Sequence, residues 1–351
     1  MTFTTGVPRL RALTVAIEDP GCLLDYLPDD QPCAAFVRRG EGFIAIGEAL
    51  RFTTDCPDAA DVWWEETSSE IEHETELPGV FGTGPLAIGS FSFDPDHSAE
   101  PSLLIVPRLI LGSRDGTHWL TSICERQPCA GRPEKGTPPV PPSTVRYADA
   151  AMSGPDWQRM VSEVIGLIQR GEAEKVVLAR ELVATSDTPI DARYLVGRLA
   201  EAYPDTWAYL VGGLVGATPE LLIRLRGGLA TSRVLAGTGR RTGEEGDAAR
   251  LAIDLAQSGK NSREHAYAVA SVADALKPYC SGMHVPERPF VLELPNVLHL
   301  ATDITGVAES GHSALALAAA LHPSAAVCGT PRVTARELIA RHEGIDRGRY
   351  A

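Results

Sequence analysis

The spacing of apolar positions changes character along the chain. Before residue 124, short apolar runs alternate with turn residues: GFIAIGEALRF at 42–52, PLAIGSFSFDPD at 85–96 and SLLIVPRLILGSRDGTHWLTSIC at 102–124. The alternation in Gly89-Ser90-Phe91-Ser92-Phe93 and the Arg114-Asp115-Gly116 turn between two apolar runs predict antiparallel strands and a hairpin. Trp63 and Trp64, ahead of an acidic tract at 65–76, read as a helix covering the core, with a ligand lid as the alternative. From 125 to 153 the apolar period disappears and QPCAGRPEKGTPPVPPS takes over, which predicts a loop or linker. The expected division is therefore 1–124, a linker at 125–154, and 155–351, although a long connection within one composite sheet would have the same composition.

After Pro155 the period becomes helical. Trp157, Met160, Val161, Val164, Ile165 and Ile168 form one stripe that stops at Gly171. KVVLARELVA at 175–184 reads as a largely buried strand and 191–204 as a helix. Strands follow at 207–215, 220–226 and 229–235, then helices at 245–258, 263–277, 312–321 and 334–343. Strands arrive in consecutive runs rather than in strict alternation with helices, so the predicted class is an α+β fold of layered sheets with helices outside.

Composition narrows the function classes. The 351 residues are 44% hydrophobic with a formal net charge of −14, enough for a sizeable core and too acidic for a nucleic-acid surface; Arg240-Arg241 is too small a basic spot to change that. No apolar run spans a bilayer and the N-terminus lacks a signal-peptide core, so the expected place is the cytoplasm, without membrane or nucleic-acid partners. Seven scattered cysteines (Cys22, Cys33, Cys56, Cys124, Cys129, Cys280, Cys328) with no CxxC pair predict reduced thiols.

Candidate chemistry concentrates around 216–260. Glu220 follows Pro219 and precedes Leu221-Leu222-Ile223, so burial at a strand mouth would raise its pKa and suit a general acid; an edge glutamate facing water is the competing reading. Ala236-Gly237-Thr238-Gly239 is expected to end a strand and offer backbone N–H groups to an anion. Lys175 opens a strand, where a surface lysine is the default reading; facing a pocket, partial desolvation would make it a general base. Glu264 near the start of a helix reads as a first-turn dipole partner or a magnesium ligand, and His299 as a core histidine by default. The His322-Pro323 to Pro331 loop suits either a ligand-facing turn or a plain connector, and Arg347 either a carboxylate clamp or an exposed tail arginine.

Seven segments in order, KVVLAR, GATPELL, LAGTGRR, SGKNSREH, LHLATDITG, LHPSAAVCGTP and EGIDRGRYA, resemble the motifs of the chorismate-binding enzymes across 155–351. The first part, with GPLAIGSFSFDPD and VPRLILG, is similar to isochorismate synthases in particular. The resemblance implies the anthranilate synthase component I-like fold and Mg²⁺-dependent addition of water at ring C2 of chorismate with loss of the C4 hydroxyl. It implies Lys175 as the base activating water, Glu220 as the acid, and Glu264 as a metal ligand. Ala236, Gly237 and Thr238 would line the ring and the metal-bound carboxylate, His299 would stand near the ring, and Arg347 would clamp a substrate carboxylate. Lysine at 175 matches the water-using members, unlike the ammonia-using anthranilate synthases, and Ala236 replaces the nucleophilic lysine of aminodeoxychorismate synthases. The implied partner is chorismate alone, with a monomeric state and no glutaminase subunit, in menaquinone or siderophore synthesis.

Two departures stand out. Family members continue past the Arg-Gly-x-Tyr motif with a Gly-Pro-Val-Gly type turn and a helix bearing further metal carboxylates, whereas this chain stops at Ala351, so part of the metal and carboxylate site is expected beyond it. Ser324-Ala325 replaces the usual Thr-Pro. The alternatives to isochorismate synthase are a salicylate synthase, which goes on to eliminate pyruvate, and a non-catalytic relative that only binds.

Overall fold

The computed structural model describes residues 9–128, 131–241 and 247–351; Cys129 and the first two positions of the helix expected at 245–258 lie outside the described residues. The chain divides into two compact units. Met1–Phe91, Pro101–Pro142 and Thr188–Pro219 form the first, and Ser92–Glu100, Ser143–Asp187 and Glu220–Ala351 the second. This division does not follow the boundary expected at 125–154, for a physical reason. Trp207–Val211 hydrogen-bonds to Cys33–Arg38, which returns 188–219 to the first unit, while Val145–Asp149, inside the expected linker, pairs with Leu182–Ser186 in the second.

The first unit is built on a sheet of eight strands, ordered Leu214–Thr218, Trp207–Val211, Cys33–Arg38, Glu41–Ile46, Leu109–Arg114, Thr117–Cys124, Arg11–Ala16 and Glu72–Thr75. Each neighbouring pair is antiparallel except the last. The predicted hairpin is present: Asp115 (φ 49°) and Gly116 (φ 74°) both take the positive φ that a two-residue type I′ turn requires. Leu23, Ile44, Leu111 and Leu120 pack there with Val196 of the helix Ala192–Ala202. The run expected at 42–52 splits into two strands in different sheets, Glu41–Ile46 and Leu50–Thr54, and 85–96 supplies only Ile88–Ser90. Trp63, on the helix Pro57–Glu70, stacks on Phe52 at 4.9 Å and 6°, and both tryptophans pack against the core, so this helix covers the core.

The second unit holds an antiparallel sheet in the order Leu221–Arg226, Leu229–Arg240, Val297–Ala308 and Cys280–His284, with Phe290–Glu293 also pairing with Val297–Ala308. The helices Gly259–Leu276 and Ala314–Leu321 bury Ala268, Val272, Leu276, Leu317 and Leu321 against Val234 and Ile304 of that sheet. Sheets and outer helices together make the α+β class expected. Among the described residues no helix is long and apolar enough to cross a membrane.

Candidate active site

All the site residues named from sequence fall in the second unit. The helix Gly154–Gln169 leads into Lys175–Val176, a two-residue strand that pairs Lys175 with Thr330 and Val176 with Gly329. The single strand expected at 175–184 breaks here. Val177 donates its N–H to Cys328 O (2.7 Å), Arg180 turns to Asp149 and to Met152 O, and pairing resumes at Leu182–Ser186. The Lys175 side chain is only 12% exposed, with Nζ 3.7 Å from Glu264 Oε1. Burial pushes its pKa below the ordinary lysine value, and the Glu264 and Glu220 carboxylates partly oppose that shift. It is thus the desolvated lysine, not the surface one.

Glu220 sits immediately before the strand Leu221–Arg226, at the mouth anticipated from sequence. The residue keeps some accessible surface, yet the carboxyl itself is enclosed, and desolvation raises its pKa to about 7. The Leu235 backbone N–H and the Lys175 charge pull the other way and lose. An acid raised toward neutrality and an amine lowered toward it, each feeling the other's charge, form the kind of pair whose environments assign acid and base roles.

The Ala236-Gly237-Thr238 segment does not end a strand. It is a bulge inside the 12-residue strand Leu229–Arg240, where the register with Val297–Ala308 shifts between Ala236 and Thr238. Gly237 has φ 78°, and a Cβ there would stand 3.1 Å from Asn261 Cβ and 3.2 Å from Asn261 O, so the bulge needs glycine both for its dihedral and for the approach of the helix. Beyond the bulge, Thr238 faces His299, with Thr238 Oγ1 3.0 Å from His299 Nδ1; burial lowers the His299 pKa.

His265 has a role that sequence reasoning missed. It is 3% exposed, with Nδ1 3.2 Å from Ala236 O and Nε2 2.7 Å from Thr302 Oγ1, so it ties the helix to the bulge and to the neighbouring strand. The signal was its place on one helix face with Ala268, Val272 and Leu276. The helix begins at Gly259, capped by the Ser258 side chain on Asn261 N, a turn earlier than the expected 263. Glu264 therefore lies beyond the first turn, and the dipole-partner reading does not apply to it.

Arg347 is neither an exposed tail residue nor a free clamp. Its side chain is 4% exposed and makes four hydrogen bonds within the protein: Nε to Glu343 Oε2 (2.8 Å), Nη2 to Glu343 Oε1 and Val177 O, and Nη1 to Val327 O. The Phe93 ring lies 4.2 Å from its guanidinium carbon. A bidentate grip on a ligand carboxylate would require Glu343 to release it.

A cavity of about 610 Å³ opens beside Lys175, lined by Trp157, Val161, Lys260, Arg263, Glu264 and Tyr267 among others. That volume suits a small molecule, and Lys260 and Arg263 favour an anionic one. Residues 31–351 match the family model described as chorismate binding enzyme. The chain belongs to this family. The relatives it matches include isochorismate synthases. It is 36% identical over 284 residues to the putative isochorismate synthase MenF of Mycobacterium tuberculosis, covering 77% of this chain and 70% of that protein. A solved structure of the putative 2,3-dihydroxybenzoate-specific isochorismate synthase DhbC from Bacillus anthracis superposes with a TM-score of 0.74 at 28% identity, covering 93% of this chain and 82% of that one. The menaquinone-specific isochorismate synthase MenF from Escherichia coli shares the fold, with a TM-score of 0.80 at 23% identity over 98% of this chain and 81% of that one.

For a chorismate-binding enzyme with the expected Mg²⁺, the donor to test is Glu264. Among the described residues no three His, Cys, Asp or Glu side chains gather as a metal-holding group. Magnesium keeps several waters and takes one or two protein carboxylates when a substrate anion supplies further oxygens. The half-exposed Glu264 carboxylate, on the cavity wall, fits one such position.

Proposed function

We propose that this chain is an isochorismate synthase, converting chorismate to isochorismate. The observation that carries the reading is the Lys175–Glu220 pair, with an amine pushed down and a carboxyl pushed up to about 7 by burial in one unit. Neutral Lys175 takes a proton from the incoming water as its oxygen bonds to ring C2. The ring double bonds shift, and protonated Glu220 gives its proton to the departing C4 hydroxyl, which leaves as water. One water enters and one leaves, and exchange with solvent resets both groups. Bound Mg²⁺, held in part by Glu264, would neutralise a substrate carboxylate. Thr238 and His299 form the polar edge proposed to face the ring, and Ala236 leaves no amine to compete with water.

Chromatography of a reaction with chorismate and Mg²⁺ tests this: isochorismate is expected, with no salicylate or pyruvate, and Lys175→Ala abolishes turnover. Full activity in Lys175→Ala would overturn the proposal. Binding of chorismate by calorimetry without turnover would instead make the chain a non-catalytic binder.

A further inference from the structure

The strand that carries Lys175 is held by little of its own. Two residue pairs with Gly329–Thr330 are its ladder, and the next regular pairing begins at Leu182. A buried ion pair holds the backbone between. Arg347 Nη2 donates to Val177 O (2.7 Å), two residues past Lys175, and Glu343 Oε1 accepts the Ala179 N–H (2.6 Å), two residues further on. The same arginine donates through Nη1 to Val327 O (3.2 Å), next to Cys328, whose carbonyl accepts the Val177 N–H. Val327 and Cys328 lead directly into Gly329–Thr330, so both strands of the Lys175 ladder are anchored on one ion pair.

The Arg347 and Glu343 side chains are 4% and 1% exposed. Burying two charges this fully costs their hydration, and a well-packed apolar substitute is often at least as stable, so stability alone explains the pair poorly. A fixed geometry explains it better. The carboxylate's two oxygens meet the guanidinium edge and a backbone N–H at once, while Phe93 closes the face of the guanidinium.

We propose that Glu343 is a positioning residue: through Arg347 and the backbone of 177–179 it holds Lys175 in place for proton transfer. This rests on the isochorismate synthase reading for its kinetic consequence, though not for its structural one. In Glu343→Gln the shape and one acceptor remain and the charge is lost. The expected kcat falls roughly 10- to 100-fold, as about 1 Å of misplacement does, while KM stays within about threefold because substrate contacts are intact. Amide exchange followed by mass spectrometry should speed up roughly tenfold or more at 177–179, with the strand Leu229–Arg240 unchanged. A folded variant with kcat within about twofold of the parent overturns the proposal. So does a rise in KM at constant kcat, which would put Arg347 on the substrate, or a uniform rise in exchange. Where Glu343→Gln does not fold, Arg347→Lys takes its place, since one ammonium cannot reproduce the fork; the same split and the same local exchange are expected. Exchange needs no turnover, so a chain that binds chorismate without converting it defeats the functional reading and still tests the clamp.

Discussion

Lys175 Nζ stands 3.7 Å from Glu264 Oε1, so the proposed base and the proposed metal ligand share one electrostatic environment. The Glu264 charge opposes the fall in the Lys175 pKa that burial causes. Turnover should therefore stop in a chelator and return with Mg²⁺. Glu264→Gln should raise the Mg²⁺ concentration giving half-maximal rate by roughly 10- to 100-fold. A Mg²⁺ titration at saturating chorismate checks this; an unchanged requirement would remove Glu264 from the metal site.

Glu220 couples stability to pH through the same burial that suits it to act as an acid. Its pKa of about 7 lies above the ordinary 4.5, so between those values the folded chain keeps a proton that the unfolded chain has lost. The folded state then binds more protons, and stability falls as pH rises from about 4.5 through about 7. The ceiling on that loss is about 3 kcal/mol, reduced to the extent that water reaches the carboxyl. Glu220→Gln should be inactive yet more stable than the parent at pH 8 by about 1–3 kcal/mol, with the advantage gone near pH 4. Urea unfolding at both pH values measures it, and a parent as stable as the variant at pH 8 would contradict the assignment.

How much of this was legible from sequence depended on the range of the forces involved. Glu220 beside Pro219 and an apolar run advertised desolvation locally, whereas Lys175 at a strand start read by default as a surface lysine; both groups are desolvated. The break after Val176 was invisible because it depends on Cys328 and Arg347, about 150 or more residues away in sequence. The strand pattern in 182–186 is real but serves a different ladder, with Val145–Asp149. At Gly237 the letters of a terminal turn and of an internal bulge are the same, and only the partner strand Val297–Ala308 decides between them. Ser258, in contrast, is a local cap signal in SGKN that marks the true helix start.

Gly237→Ala should show how closely the bulge and the helix depend on each other. At φ 78° an alanine is strained, and its Cβ would meet Asn261 at 3.1 Å, so one of the two elements must shift. The expected loss is roughly 1–3 kcal/mol in stability, with a weaker grip on substrate because Thr238 moves with the bulge. Denaturant unfolding and KM for chorismate measure the two effects. A variant with parental values in both would mean the bulge tolerates a side chain.

His265 carries the last prediction. Burial lowers its pKa, so the ring is neutral and has one N–H. A carbonyl can only accept, so Nδ1–H donates to Ala236 O, and Nε2 accepts the hydroxyl proton of Thr302. His265→Leu keeps the apolar bulk but leaves a carbonyl and a hydroxyl unsatisfied, at a cost of roughly 2–4 kcal/mol. Thr302→Val in the same chain removes one of those orphans and should recover part of the loss, which a double-mutant cycle by urea unfolding would register as coupling of about 1 kcal/mol or more. Strictly additive losses would mean that the histidine and the threonine do not act together.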